Sequence, residues 1–489
     1  MKHAMLRIAI ALGLCTSARA ADDIYLGLRR AGFQPIPVGI PAFVRDSTLT
    51  NSAAVDTLRR VLMDDLEFSV LVEPISDPWA RRWNTRAGRS IAELRRVLGG
   101  DRGTESPPPP PADDAEALWL TRSPLLRETI PDPGHWENAG VAMALGLRID
   151  AGPQGPNILF EMNFVSGGAT LAADSLRLLD PRRDAHRIAD ALVWVATGEA
   201  GVAQSHIAWA TTRDDWTHRI HRADYDGARR QPVTPEGADA LLPSFSPGGE
   251  HIACIQYQDS GPDLMVYPVA GGPPQTLSND PALESTPAWS PLGDQIAYTL
   301  ARDGNPDIHV VPLDGADPVR LTWSPGIDTS PSWSPRAKQL VFTSDRGGYP
   351  TLYVMGETGL AQRRLWPQDG YLDAATWSPR GDRIAYVGRS EGNFHIFSID
   401  PLGGKPVQLT DRGNNESPCW SPDGLHLIFS SDRSGTSVIY TMRVDGSAVR
   451  PIRGSRGGIT PSWSPPRVVP LHNPASGPLD TIPPTTNQD

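Results

Sequence analysis

Cysteine is scarce in this chain, with three among 489 residues, which excludes a small scaffold held together by disulfides. Basic charge is in deficit. Against 56 acidic residues stand 45 lysines and arginines, for a formal net charge of -11. A general nucleic-acid binder, which needs a basic stripe, is thereby excluded. Beyond the first twenty residues no apolar run reaches the ~18 residues a membrane-spanning helix requires. What the chain has in quantity is proline (49) and glycine (46). Neither follows a collagen-like period, so the pair signals many turns rather than long helices. The length suggests about two to four domains at roughly 150 residues each.

The first twenty residues read as a secretory signal peptide. Lys2 and Arg7 supply positive charge, residues 8–14 are a short apolar run, and Ala18-Arg19-Ala20 is a small-residue cleavage site. Cleavage between Ala20 and Ala21 is expected. Leu14 stands before Cys15 where a lipoprotein signal takes a small residue, which argues against a lipid anchor. Cys254 and Cys419 then remain, in different repeats, and are expected as buried thiols.

The chain repeats itself. "PSFSP" around Phe245, "PAWSP" around Trp289, "PSWSP" around Trp333, "PCWSP" around Trp420 and "PSWSP" around Trp463 share one frame, and "AATWSP" around Trp377 lacks only the first proline. The aromatics step by 44, 44, 44, 43 and 43 residues, so this is a tandem array. After each Ser-Pro comes an apolar triplet such as Ile296-Ala297-Tyr298 or Leu340-Val341-Phe342. A polar turn such as "SDRGG" (344–348), an alternating strand and a threonine-bearing edge such as Leu321-Thr322 complete the unit. Four short strands in each ~43-residue unit predict a β-propeller blade. The aromatic is expected to begin the innermost strand and pack into the neighbouring blade, with the following proline starting a turn.

The ends set the blade number. Ile207-Ala208-Trp209 opens the array without a preceding aromatic Ser-Pro strand, and Trp463-Ser464-Pro465 has no triplet after it. Six triplets match six aromatic strands only if the last strand completes the first blade. A six-bladed ring over residues 201–466 follows, closed by pairing its two ends.

Residues 21–200 read differently. "QPIPVGIPAF" (34–43) is a strand, and Val55, Leu58, Leu62 and Leu66 form a helical stripe over 52–68. Further strands fit 69–72, 141–149, 158–164 and 170–176, before a helix over 182–197. The predicted fold class is therefore an α/β N-terminal domain followed by an all-β six-bladed β-propeller. An insertion at about 76–133 carries "SPPPPP" (106–111), read as a stiff solvated loop. The tail, 467–489, is too polar and proline-rich to fold alone.

Enzyme signatures are weak. "GRSEG" (388–392) has the spacing of a nucleophile elbow, but it lies between two strands where other repeats carry a polar turn, so no catalytic role is assigned to Ser390. His218 and His221 are separated by an odd number of residues and fall on opposite faces of a strand, a poor metal site. Asp224-Tyr225-Asp226-Gly227 lacks the later carboxylates of a calcium loop and reads as a hairpin turn. No catalytic residue, metal or cofactor is assigned.

The layout resembles the TolB family of the Tol–Pal envelope system. The resemblance rests on the leader, the small α/β domain, the "WSPDG…SDR" repeats and the junction "RRDAHRIADALVWVATGEAG" (182–201). It implies a periplasmic, non-catalytic, monomeric adaptor with no membrane span. Its propeller would bind the peptidoglycan-associated lipoprotein Pal, and its N-terminal region, Asp22, Asp23, Ile24 and Tyr25, would contact TolA. The implied role is outer-membrane integrity, envelope constriction at division and protein import. Because the chain enters the ring at a second-strand position, the α/β domain should sit on the side of the Ser-Pro-x-Gly turns. The Pal-type contact then falls on the opposite rim. The resemblance assigns Leu283, Thr286 and Thr329 there, and rim position adds Glu284, Asp328, Tyr371, Asp373, Asn414 and Glu416. The alternative is an exported sugar- or peptide-binding propeller, or a non-catalytic relative of propeller-bearing serine peptidases.

Overall fold

A computed structural model describes residues 35–40, 44–45, 52–76, 141, 143–151, 155–165, 170–335, 338–368 and 370–466. The expected leader with its Ala20–Ala21 cleavage, the contact residues Asp22, Asp23, Ile24 and Tyr25, the proline-rich stretch and the tail lie outside the described residues.

Among the described residues the first part is one mixed sheet with two helices. Strands β1 (Ile36–Ile40), β2 (Val44–Arg45), β3 (Val72–Ser76), β4 (Met143–Asp150), β5 (Asn157–Phe164) and β6 (Thr170–Arg177) run in the order β3-β1-β4-β5-β6, with β2 also beside β4. β1 lies parallel to β3 and β4, whereas β4, β5 and β6 are antiparallel. Helix α1 (Ser52–Phe68) has the bounds its apolar stripe predicts, and buries Leu58, Leu62 and Leu66 completely. The strand expected at 69–72 instead covers Val72–Ser76. The amide of Ser69 is still bonded to the carbonyl of Asp65, so the chain is finishing the helix where a strand was expected. Helix α2 (Pro181–Thr197) starts on an Asp180 cap that accepts from the amides of Arg182 and Arg183. It ends at Gly198, whose φ of 74° is left-handed and whose amide reaches Trp194. Both ends follow the ordinary rules for satisfying orphan helix groups.

The second part is six four-stranded antiparallel sheets. Blade 1 takes its inner strand, Gly458–Trp463, from the far end of the array and pairs it with His206–Thr212, followed by His218–Asp224 and Gln231–Pro232. The inner strands of blades 2 to 6 are Asp239–Phe245, Glu284–Trp289, Asp328–Trp333, Leu372–Trp377 and Asn415–Trp420. The ring therefore closes as the unmatched triplet and the unmatched aromatic require.

Each aromatic ends its inner strand rather than beginning it. Its packing role is as expected. Trp333 donates its indole N–H to the carbonyl of Ala288 in the preceding blade at 3.2 Å, and Trp289 and Trp420 make the same step back to Ser244 and Thr376. An unpaired buried N–H would cost about 1–3 kcal/mol, and these three indoles find their partners across a blade seam, whereas Trp377 donates to Gly381 in the turn of its own blade and Trp463 to Ser205.

The proline of the repeat has a separate cause. In blade 3 Ser285 pairs with Thr299 and Ala288 with Ala297, so Thr286 and Pro287 together face a single residue. This bulge recurs in all six inner strands. Its first residue is left-handed in every blade: Leu242, Thr286, Ser330, Ala374, Ser417 and Thr460 have φ between 48° and 57°. None is glycine, although glycine relieves this conformation. The second residue is left out of the ladder, so proline, which has no N–H to lose, fits there in five blades.

The two parts share one core. Leu58, Leu62, Leu145, Ile188 and Leu192 of the α/β part are continuous with Ile207, Tyr225, Leu425, Ile428 and Trp463 of the ring. His426, two residues past a Ser-Pro-x-Gly turn, stacks on Phe68 at 4.2 Å, and its Nε2 lies 3.1 Å from the Phe68 carbonyl. The α/β part therefore sits on the side of the Ser-Pro-x-Gly turns, against blades 1 and 6.

Candidate docking rim of the propeller

The opposite rim is built from the loops that lead into each inner strand and from the turns between second and third strands. Of the residues expected to contact a partner here, Leu283 and Tyr371 are exposed and Glu416 projects to solvent. The Tyr371 hydroxyl donates to Asp373 at 3.0 Å, and its ring lies 5.3 Å from Phe394. Asn414 is held by Asp432, which accepts from its backbone amide at 2.7 Å and from its side chain at 2.9 Å. Burial pushes the Glu416 carboxyl up, and the charges of Asp432 and Asp373 push it further in the same direction. Tyr371, Asp373, Asn414 and Glu416 thus form one acidic, aromatic-edged cluster across blades 5 and 6.

Thr286 and Thr329 lie deeper, at the mouth of the ring. The hydroxyls of Thr286 and Thr299 are 2.8 Å apart, and Thr299 donates to Thr329 at 3.1 Å. This hydroxyl chain ties blade 3 to blade 4, and both threonines are half-buried.

Glu284 and Asp328 are corrected. Both are fully buried. The Glu284 carboxylate accepts from the amides of Leu264 (2.6 Å) and Asp280 (3.2 Å) and from the Ser278 hydroxyl, and burial pushes its carboxyl up to about 6. Asp328 accepts from Arg346 at 2.8 Å, the arginine of the "SDRGG" turn. In blades 3, 4 and 6 the first position of the inner strand, Glu284, Asp328 or Asn415, is thus a joint where a buried polar side chain satisfies backbone or arginine groups.

Other rim residues escaped the sequence reading. Trp216, Tyr257, Trp323, Ile327 and Tyr349 are exposed here, Trp323 by 73% with Arg320 lying 4.3 Å over its ring. Their only signal was position: each lies in a turn or loop opposite the Ser-Pro-x-Gly side. The large residues exposed in turns of the other rim, Leu292, Leu360 and Leu402, are all aliphatic.

The remaining candidates settle into structural places. Ser390 pairs with Asn393 across a tight hairpin turn made by Glu391 and Gly392, both with positive φ. His218 contacts Asp239 at 3.1 Å, whereas His221 lies beside Thr211 and Arg230. Asp224 and Asp226 close a turn and pair with Arg182 of α2. Cys254 is buried and Cys419 half-buried, and both are free thiols.

Comparison with known proteins decides the family. The family model "TolB beta propeller domain" matches residues 195–467, more than half of the chain. The chain belongs to the TolB family. A Tol-Pal system protein TolB of Paramagnetospirillum magneticum is 28% identical over 284 residues, covering 56% of this chain and 54% of the relative. One from Actinobacillus succinogenes is 27% identical over 147 residues, covering 29% and 34%. The chain thus spans about half or less of the length of these TolB sequences. The crystal structure of TolB from Acinetobacter baumannii superposes with a TM-score of 0.68 at 22% identity, over 88% of this chain and 97% of that one. That likeness extends the shared fold through the α/β part. Among the described residues no helix is long and apolar enough to cross a membrane.

Proposed function

We propose that this chain is a non-catalytic periplasmic adaptor of a Tol–Pal envelope system. Its propeller rim holds a peptidoglycan-associated lipoprotein of the Pal type, and its N-terminal region, including Asp22, Asp23, Ile24 and Tyr25, engages a TolA-type inner-membrane protein. In this role it supports outer-membrane integrity and constriction at division.

The observation that carries the reading is the asymmetry of the rims. One rim carries the α/β part, and its exposed large turn residues are aliphatic. The other presents Trp216, Tyr257, Trp323, Tyr349 and Tyr371 around an acidic cluster. Exposed aromatics with polar neighbours are the composition of a protein interface, where a few such residues carry most of the binding energy. Ser390 in its hairpin turn supports the non-catalytic part, since a nucleophile elbow needs a strand-to-helix turn.

The test is a pull-down with the full mature chain from an envelope extract of its own source. Retention of a peptidoglycan-bound lipoprotein supports the proposal, and its absence from the bound fraction refutes it. Tyr371→Ala combined with Trp323→Ala should weaken retention by about 2 kcal/mol or more. A wild-type affinity in that pair would move the contact off this rim.

A further inference from the structure

In a chain of net charge -11, one seam of the propeller is dense in arginine. Arg213, Arg219, Arg222 and Arg230 come from blade 1, and Arg450, Arg453 and Arg456 from the outer edge of blade 6. The two edges touch: Arg230 Nη1 donates to the Gly454 carbonyl at 2.7 Å, and the Thr212 amide donates to Gly457.

Three of these arginines act on His221, Arg230 by contact and all three by charge. Arg230 Nη2 lies 3.2 Å from His221 Nδ1, and Arg219 stands two residues away on the same face of the same strand. Arg213, in the adjoining turn, is near enough for its charge to act on the same ring. Their hydrogen bonds run to neutral acceptors. Arg213 reaches the Thr217 hydroxyl, Arg219 the Thr234 carbonyl, and Arg230 the Gly454 carbonyl and the Thr211 hydroxyl. Among the described residues no carboxylate lies in ion-pair contact with these three. Asp215 in the same turn directs its carboxylate to the Thr217 amide and hydroxyl, at 3.0 and 2.6 Å. Arg213 Nη2 is a buried donor with no hydrogen-bond partner among the described residues. Burial and the charges of Arg230, Arg219 and Arg213 hold His221 down to about 4. Three like charges and an unspent buried donor are costly to gather unless an anion joins them.

We propose that Arg213, Arg219 and Arg230 around His221 form an oxyanion site for a phosphate group, carried by an anionic lipid headgroup or by a soluble phosphate. A carboxylate is satisfied by one guanidinium fork, whereas three forks suit the several oxygens and higher charge of a phosphate. The site is separate from the acidic cluster of blades 5 and 6.

The test uses the full mature chain, inorganic phosphate, and vesicles of phosphatidylcholine with and without phosphatidylglycerol. The wild type should bind phosphate in calorimetry. Arg213→Gln combined with Arg230→Gln should weaken that binding by at least about tenfold, while Arg412→Gln on blade 6 leaves it unchanged. Cosedimentation of the wild type, and not of the double variant, with phosphatidylglycerol vesicles assigns a lipid headgroup. Phosphate binding without vesicle binding assigns a soluble phosphate. If the wild type binds neither, or the double variant binds as well as the wild type, the proposal is overturned. Should the double variant lose its cooperative melt, the His221 ring titration in the unmutated chain decides. Phosphate should raise its pKa, and an unmoved titration overturns the site.

Discussion

The Tyr225 hydroxyl donates a hydrogen bond of 2.8 Å to the carboxylate of Asp65, which lies 160 positions earlier in the chain. Tyr225 belongs to blade 1 and Asp65 to α1, so the bond crosses from ring to α/β part inside the shared core. The other Asp65 oxygen is 2.7 Å from His186 Nδ1. Tyr225→Phe keeps the packed ring and removes only the hydroxyl. It should destabilise the protein by about 1–3 kcal/mol, the cost of leaving a buried acceptor short of a partner. Denaturant melts of the two proteins check this, and equal midpoints would refute the link.

His186 gives the same seam a pH dependence. Burial opposes its cation, but the nearby carboxylates of Asp224 and Asp65 prevail and carry its pKa up to about 9, with Arg182 opposing them. A folded-state pKa above the unfolded value of about 6.5 stabilises the fold fully below 6.5. That contribution is lost as pH rises through 9. The melting temperature should fall between pH 7 and 9.5, and His186→Gln should flatten the slope. An unchanged slope in the variant would assign the effect to another group.

Blade 5 is the one blade without proline at the second bulge residue, where Ala375 stands. The backbone before it matches the other blades, with Ala374 at φ 50°. Ala375→Pro should therefore stabilise by about 0.4–1 kcal/mol, through a less flexible unfolded chain. A lower melting temperature would show that the Ala375 amide has a role the repeat does not predict.

Asp328 and Glu416 occupy the same rim but should respond oppositely to charge reversal. Asp328→Lys places a second cation beside Arg346 at a fully buried position and should cost about 3–5 kcal/mol. Glu416→Lys changes a solvent-facing carboxyl and should leave the melt within about 0.5 kcal/mol. Loss of partner binding in Asp328→Lys therefore reports unfolding, and only Glu416→Lys reports on contact.

The ring and its closure were legible because blade packing imposes the same aromatic, triplet and turn every 43 or 44 residues. Helix α1 was legible to the residue because Val55, Leu58, Leu62 and Leu66 repeat at helical spacing. The inner-strand bulge was not, since Leu242, Thr286 and Ala374 carry no sequence mark of a left-handed backbone. That hidden bulge also explains why the aromatic was assigned to the wrong end of its strand. Glu284 and Asp328 were misread as solvent-facing contact residues because an acid beside a loop has the same letter whether it turns inward or outward. Only the three-dimensional partners, Leu264 and Arg346, separate the cases.

The inner strand of blade 1 is the last strand among the described residues, and its neighbour Ser464 accepts from the amide of His206, 258 positions earlier. Synthesis delivers that strand after every other strand of the ring. Until it arrives, the edge of Ile207 and Trp209 stays open and the ring cannot lock. The fold thus carries its own timer: a chain cut short before Gly458 is left with five complete blades and a sticky, unpaired edge. Such a fragment is marked for association or proteolysis, and cannot persist as a five-sixths propeller with a working rim.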